Sequence, residues 1–405
     1  MACPDAPALP LRRGPSLAEV LRAGLPAYAR AHRLPAHHWK VLNAIQACRT
    51  PLLGGHQYQC RHCQRAHFAP HACGNRHCPS CQGINSPRWL AAQAEVLLPI
   101  PYFHVVFTLP HQLNPLIQQN QAALYGLLFA SGSETLLSFG RNNLHAQLGV
   151  TAVLHTWSQT LLDHYHIHCI VTGGGPSLEG VRWISSRPNY LFDVRALSPV
   201  FRAKFCEGLQ ALYAKGQLQF HGQLSPLAEP AKFQALVREA TRPSWVVYSK
   251  RPFAGPQQVL AYLSRYTHRV GISNRRLLAL DTNKQTVAFD YKDYADGARH
   301  KTLHLPLGEF IRRLRLHLLP PRFVKIRHYG LFANRGLSER IQALRQLLGS
   351  PSPDPNLEPS HHQDTLAATE PPLPICPFCG ARALILVRVI TSACCPSDIL
   401  IDDSS

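Results

Sequence analysis

The chain has 405 residues, enough for two or three domains with cores of their own. Its 42 Lys and Arg against 23 Asp and Glu give a formal charge of +19, which points to a polyanionic partner such as nucleic acid. No apolar run reaches the length of about 18 residues that a membrane span needs, and the proline-rich Met1–Pro15 lacks an apolar signal core. The expected setting is therefore cytoplasmic and reducing, where the 13 cysteines read as metal ligands rather than disulfides.

In chain order, Leu17 to Cys48 shows helical periodicity, with Leu21, Leu25 and Tyr28 followed by Trp39, Leu42 and Ile45. A cysteine-rich module runs from His56 to Cys81. Its pairs Cys60-x2-Cys63 and Cys78-x2-Cys81 have nearly the spacing of a zinc ribbon, and four thiolates would close a structural Zn²⁺ shell. Cys73 and His77 are nearby substitutes, and Arg76 is a candidate phosphate contact. Trp89 to Leu98 reads as a helix, Tyr102 to Leu109 as a strand closed by Pro110, and Asn114 to Leu148 as mostly helical. Val150 to Thr156 has strand character.

The strand Asp163 to Val171 carries His164, His166 and His168 on one face, because strand side chains alternate. Two imidazoles one strand step apart make a seat for a divalent ion. His155, Gln159, His164 and His268 are candidates for a third ligand. Between Pro256 and Arg269 a helix is expected, with Tyr262 and Tyr266 sharing one face at i and i+4. Two further strands are expected at Thr286–Tyr291 and His300–Leu305, then a basic amphipathic helix from Gly308 to Leu318.

The positive charge is concentrated late in the chain. Thr241–Ser350 holds 20 Lys and Arg against 6 Asp and Glu, whereas Pro351–Ser405 holds 2 against 7. Arg265, Arg269, Arg275, Arg276, Arg312, Arg313 and Arg315 are the candidate DNA-backbone contacts, which position DNA without reading its sequence. After Gly349 the composition turns to that of a linker. It includes Cys376-x2-Cys379, with Cys394 and Cys395 further on as a half or degenerate zinc knuckle.

Several strings resemble the insertion-sequence-91 family of transposases, the two-tyrosine HUH enzymes. They are Ala47–Thr50 with Leu53–His56, Cys73–Cys81, Pro101–His111, His166–Cys169, Tyr262–Arg269 running into Ile272–Arg276, and Arg327–Arg335. The chain departs from the family at Tyr165 and Thr172, where proline is usual, without touching the paired histidines. The resemblance implies an α+β fold, an HUH palm of antiparallel sheet with flanking helices, preceded by a helical and zinc-ribbon-like domain. It implies domains at 15–105 (helical and zinc-binding), 106–348 (nuclease) and 349–405 (linker and tail).

The function implied is cleavage and rejoining of single-stranded DNA, at element ends and in the target, during rolling-circle transposition. Tyr262 and Tyr266 would be nucleophiles forming a 5′-phosphotyrosine, and His166 and His168 would hold Mg²⁺ or Mn²⁺. A rolling-circle initiator or relaxase would share this chemistry. A non-catalytic zinc-ribbon DNA-binding protein would keep the charge and cysteines but has no use for the histidine strand and tyrosine pair.

Overall fold

The computed structural model describes residues 14–253, 258–259, 262, 270–349 and 373–391. The chain forms two compact units, each interleaved in sequence: Met1–Asn85 with Ile272–Arg315 and Leu357–Ser405, and Ser86–Gly271 with Leu316–Asn356.

The second unit is built on alternation. Its strands β3 (Tyr102–Thr108), β4 (Gly149–Trp157), β5 (Asp163–Thr172), β8 (Val247–Phe253) and β12 (Ile326–Gly330) form one antiparallel sheet in the order β12-β4-β5-β3-β8. Short β6 (Gly174–Pro176) and β7 (Trp183–Ser185) pair beside it in sequence as a separate ribbon. On one face of the sheet, Tyr165, Ile167, Cys169 and Val171 of β5 join Phe103, Val105 and Phe107 of β3 and Val150, Ala152 and Leu154 of β4 in the main core.

Helix α5 (Gln121–Phe139) covers that face. It is apolar on nearly all sides because α6 (Val194–Ala214) packs on its other flank, contributing Phe201 and Phe205. The approach of α5 to the sheet depends on Gly132, where an added Cβ would lie 2.6 Å from Ile167 Cδ1 and 3.3 Å from Phe107 Cδ2. Both neighbours are buried, so Gly132→Ala is expected to destabilise the protein by about 1–3 kcal/mol in chemical denaturation.

The opposite face is divided. At one end Tyr102 and Ile170 form a smaller core with Val259, Leu331 and Phe332, against which Tyr262 packs. The other end carries histidines.

In the first unit α1 (Leu17–Ala31) begins at a capping box, with Ser16 Oγ accepting from Glu19 N–H and Glu19 Oε2 accepting from Ser16 N–H. Asn274 Oδ1 accepts from Leu17 N–H at 2.8 Å, which gives this asparagine a structural task. Helix α2 (Ala36–Ala47) follows, and β1 (Gly55–Cys60) pairs with both β2 (Ala66–Pro70) and the distant β13 (Leu384–Ile390). A second sheet has the order β11-β10-β9, from Leu277–Asp281, Thr286–Asp293 and Arg299–Pro306 taken as β9, β10 and β11. Further α-helices among the described residues are α3 (Gln82–Val96), α4 (Asn114–Gln119), α7 (Pro230–Thr241), α8 (Leu307–Leu316) and α9 (Leu337–Leu347). The class is therefore α+β with antiparallel sheets, as expected. Among the described residues no helix is long and apolar enough to cross a membrane.

Candidate active site

The central strand β5 presents His164, His166 and His168 in alternation, and the adjoining strand decides which of them gain a partner. β4 runs antiparallel to β5 with His155 directly opposite His166 and Val153 opposite His168. One nitrogen each from His155, His166 and His168 falls within 4.8 Å of the others. Of the candidates for a third ligand, His155 joins this group. His164 is exposed and outside it, although its ring centre lies 4.6 Å from that of His166. Gln159 lies in the turn between β4 and β5, and His268 is outside the described residues.

Hydrogen bonding orients the rings. His166 Nδ1–H donates to the His164 carbonyl at 2.8 Å, leaving Nε2 with its lone pair. Burial, then the neighbouring His168 and His164, holds His166 well below the usual histidine pKa, so the ring is neutral at pH 7. The buried His155 ring stacks on Trp157 at 4.9 Å between centres. Three imidazoles with no carboxylate among them fit a divalent transition ion; Mg²⁺ prefers oxygen.

On the other side of β5, strand β3 supplies His104, opposite Ile170 and on the histidine face. His104 Nε2 lies 2.8 Å from His168 Nδ1 and 2.6 Å from Tyr262 Oη, and Tyr262 Oη lies 3.0 Å from His168 Nδ1. A consistent proton arrangement has His168 Nδ1–H donating to the phenol oxygen and the phenol O–H donating to His104 Nε2. That leaves His168 Nε2 for a metal ion. Tyr266, Arg265 and Arg269 lie outside the described residues.

His104 is 4% exposed, and its Nδ1 is buried without a hydrogen-bond partner. Burial first, then the charge of Lys250 and the adjacent His166, pushes its pKa down to about 3. In the unfolded chain the same ring takes a proton near the ordinary value of about 6.5. Between these values the unfolded state binds more protons, so the stability His104 contributes is full above pH 6.5 and is lost as pH falls toward 3. In metal-free protein, His104→Asn is expected to shrink the stability difference between pH 6.5 and pH 5 by about 2 kcal/mol, read from denaturant melts.

The cysteines separate into two groups, and this corrects the expected zinc set. Cys60, Cys63, Cys78 and Cys81 do not converge. Cys78 and Cys81 meet Cys73 and Cys48, with Cys48 Sγ at 3.5 Å and Cys73 Sγ at 3.6 Å from Cys81 Sγ. Cys60 and Cys63 meet Cys376 and Cys379. The physical reason is local: Cys60 ends β1 and Cys63 sits in the turn to β2, whereas Cys48 caps the C-terminus of α2 and faces the later loop. Cys73 is thus in a zinc-type group, and His77 is in neither.

Residues 20–109 match the family model described as "Transposase zinc-binding domain", and residues 149–339 match the one described as "Putative transposase". The chain is 41% identical over 384 residues to "Putative transposase y4qJ" of Sinorhizobium fredii (strain NBRC 101917 / NGR234), an alignment spanning 93% of this chain and 96% of that one. The chain belongs to the insertion-sequence-91 transposase family.

The transposase is also 28% identical, over 354 residues covering 86% of it and 83% of the relative, to the transposase for insertion sequence element IS801 of Pseudomonas savastanoi pv. phaseolicola. Among solved structures it is similar to a metal-bound conjugative relaxase TrwC in complex with oriT DNA. There the identity is 15%, the coverage 42% of this chain and 71% of that chain, and the TM-score 0.24.

Several arginines of the transposase that the sequence offers to DNA have intramolecular partners. Arg312 and Arg313 both bind Glu309, at 2.6 Å each from Nε. Arg276 Nε donates to the Asp290 carbonyl at 2.8 Å, and its guanidinium lies 5.5 Å from the centre of the Phe289 ring. Arg315 Nε is buried without a hydrogen-bond partner. Arg275 is exposed in the turn before β9, and Arg76 lies in the loop between Cys73 and Cys78. Two residues of the transposase went unassigned in the sequence. Cys48 stands alone, without a Cys-x2-Cys pair, and His104 is a single polar residue in an apolar strand; that interruption of Phe103 and Val105 was the available signal.

Proposed function

We propose that this transposase cuts and rejoins single-stranded DNA through a covalent bond between Tyr262 and a 5′-phosphate, and so moves its element by a rolling-circle route. The observation that carries this reading is the contact of Tyr262 Oη with His104 Nε2 at 2.6 Å, beside the group of His155, His166 and His168. A phenol in that position is oriented by a neutral imidazole and has a group of three histidines that could hold a divalent ion beside it.

His155, His166 and His168 would hold a divalent ion, which when bound neutralises a non-bridging phosphate oxygen. Their all-nitrogen character disfavours Mg²⁺, which prefers oxygen, so of the two ions Mn²⁺ is the one to test. His104 Nε2 accepts the phenol's hydrogen bond and orients it, and the phenolic proton passes on to solvent as Tyr262 Oη bonds to phosphorus, since burial leaves His104 too weak a base to keep it. The P–O3′ bond breaks, and the 3′-oxygen leaves and becomes a hydroxyl on gaining a proton. The phosphotyrosine keeps the energy of the broken bond, so attack by another 3′-hydroxyl rejoins strands without ATP and frees the phenol. Tyr266 would serve as the second nucleophile, holding one end while the other is cut. Arg76 and Arg275 would hold the DNA backbone.

The test is a denaturing gel of the purified protein with labelled single-stranded oligonucleotides spanning the element ends, with Mn²⁺ or with EDTA. A labelled band that resists boiling in detergent and requires the metal is expected. Tight DNA binding with no such band at a cleavable end would overturn the covalent mechanism.

A further inference from the structure

We propose that Cys60, Cys63, Cys376 and Cys379 bind a second structural zinc ion, a split site that clasps the chain's C-terminal segment onto its amino-terminal zinc domain. Three independent features of the backbone and side chains carry this. First, the four sulfurs lie within 4.8 Å of one another, with Cys60 Sγ 3.7 Å from Cys379 Sγ and Cys63 Sγ 3.8 Å from Cys376 Sγ. A tetrahedron of thiolates with Zn–S bonds of about 2.3 Å has edges of roughly 3.8 Å. The separations are those of ligands around one ion.

Second, the two halves share one backbone design although more than 300 residues separate them. Each is a Cys-x2-Cys turn followed by a residue with positive φ, Gln64 at 60° and Gly380 at 72°. In each, that residue's N–H donates to the carbonyl of the first cysteine at 2.9 Å, for Gln64 to Cys60 and for Gly380 to Cys376. The first cysteine's own N–H donates to the carbonyl five residues on, Cys60 to Arg65 at 3.0 Å and Cys376 to Ala381 at 2.8 Å. Two matching turns that aim four sulfurs at one point form a metal-binding design, and chance packing does not require the match.

Third, the segment has little else to hold it. Its buried apolar cluster consists of Cys60, Cys376 and Leu384, which is small for a stable module without a metal or disulfide. β13 adds to the edge of β1 with Cys60 opposite Leu384, yet Leu386, Val387 and Val389 stay exposed. The zinc clasp accounts for ordered pairing by a strand that buries so little. It also assigns Cys376 and Cys379 a partner other than Cys394 and Cys395.

The inference is independent of the DNA chemistry proposed above, because its readout is metal content. The full-length protein, purified without added metal and analysed by mass spectrometry, is expected to hold two zinc ions per chain. Cys376→Ser with Cys379→Ser should lower this to one, as should Cys60→Ser with Cys63→Ser. All four changes together should still leave one ion, since both pairs serve the same site. Cys394→Ser with Cys395→Ser should leave two.

Two ions retained after Cys376 and Cys379 are replaced would overturn the split site, as would loss of one ion on replacing Cys394 and Cys395. If the cysteine variants do not fold, cobalt substitution of the unaltered full-length chain decides the matter. Sulfur-to-cobalt absorption equivalent to two tetrathiolate sites per chain supports the clasp, and absorption equivalent to one contradicts it.

Discussion

Tyr262→Phe is expected to remove the covalent DNA adduct, with strand cleavage falling by roughly 10³-fold or more. The side chain is partly buried, packed at the edge of the small core with Val259 and Phe332, and phenylalanine keeps that packing. What it removes is one hydroxyl bonded to His104 and close to His168. A neutral hydrogen bond contributes about 1 kcal/mol to stability, so folding and DNA binding should survive while the chemistry does not. The check is the denaturing-gel assay alongside a filter-binding isotherm. Full adduct formation by the phenylalanine variant would transfer the role of first nucleophile to Tyr266. Loss of binding together with cleavage would mean a structural role.

Replacing His155 or His166 with alanine is expected to weaken Mn²⁺ binding by about 100-fold or more, whereas His164→Ala should change it by less than about threefold. His155 and His166 are cross-strand partners on one face with nitrogens converging on His168, and His164 points from the same face into solvent. Removing one nitrogen from a three-ligand group leaves two, and a loss larger than the 10–100-fold typical of outer-shell partners follows. Electron paramagnetic resonance of free Mn²⁺ during titration measures it directly. Equal effects of His164→Ala and His155→Ala would show that the third ligand has been misassigned. Burial also keeps His166 unprotonated well below the ordinary histidine range, so this ring's nitrogen stays available at neutral pH.

Much of this architecture was legible along the chain because its signals are local. Strand alternation put His166 and His168 together, and β5 bears that out with Tyr165, Ile167 and Cys169 in the core behind them. The apolar length of α5 and the strands β3, β4, β10 and β11 were readable for the same reason. The span from β6 to α7 and the edge strand β12 were not, since their residues make sense only against neighbours distant in sequence.

The cysteines mark the boundary between the two kinds of information. A Cys-x2-Cys turn declares itself in four residues, and the sequence therefore determined that paired-cysteine turns of metal-binding type exist here, that a histidine strand exists, and that a tyrosine motif follows it. Which pair closes on which is a question of chain path. Only the tertiary structure joined Cys60 and Cys63 to Cys376 and Cys379, gave Cys48 to the other group, and brought His155 and His104 to β5 from strands on either side. Metal ligands and hydrogen-bond acceptors need only be within a few ångströms of one another, and strand pairing supplies that closeness between residues whose separation in sequence carries no trace of it.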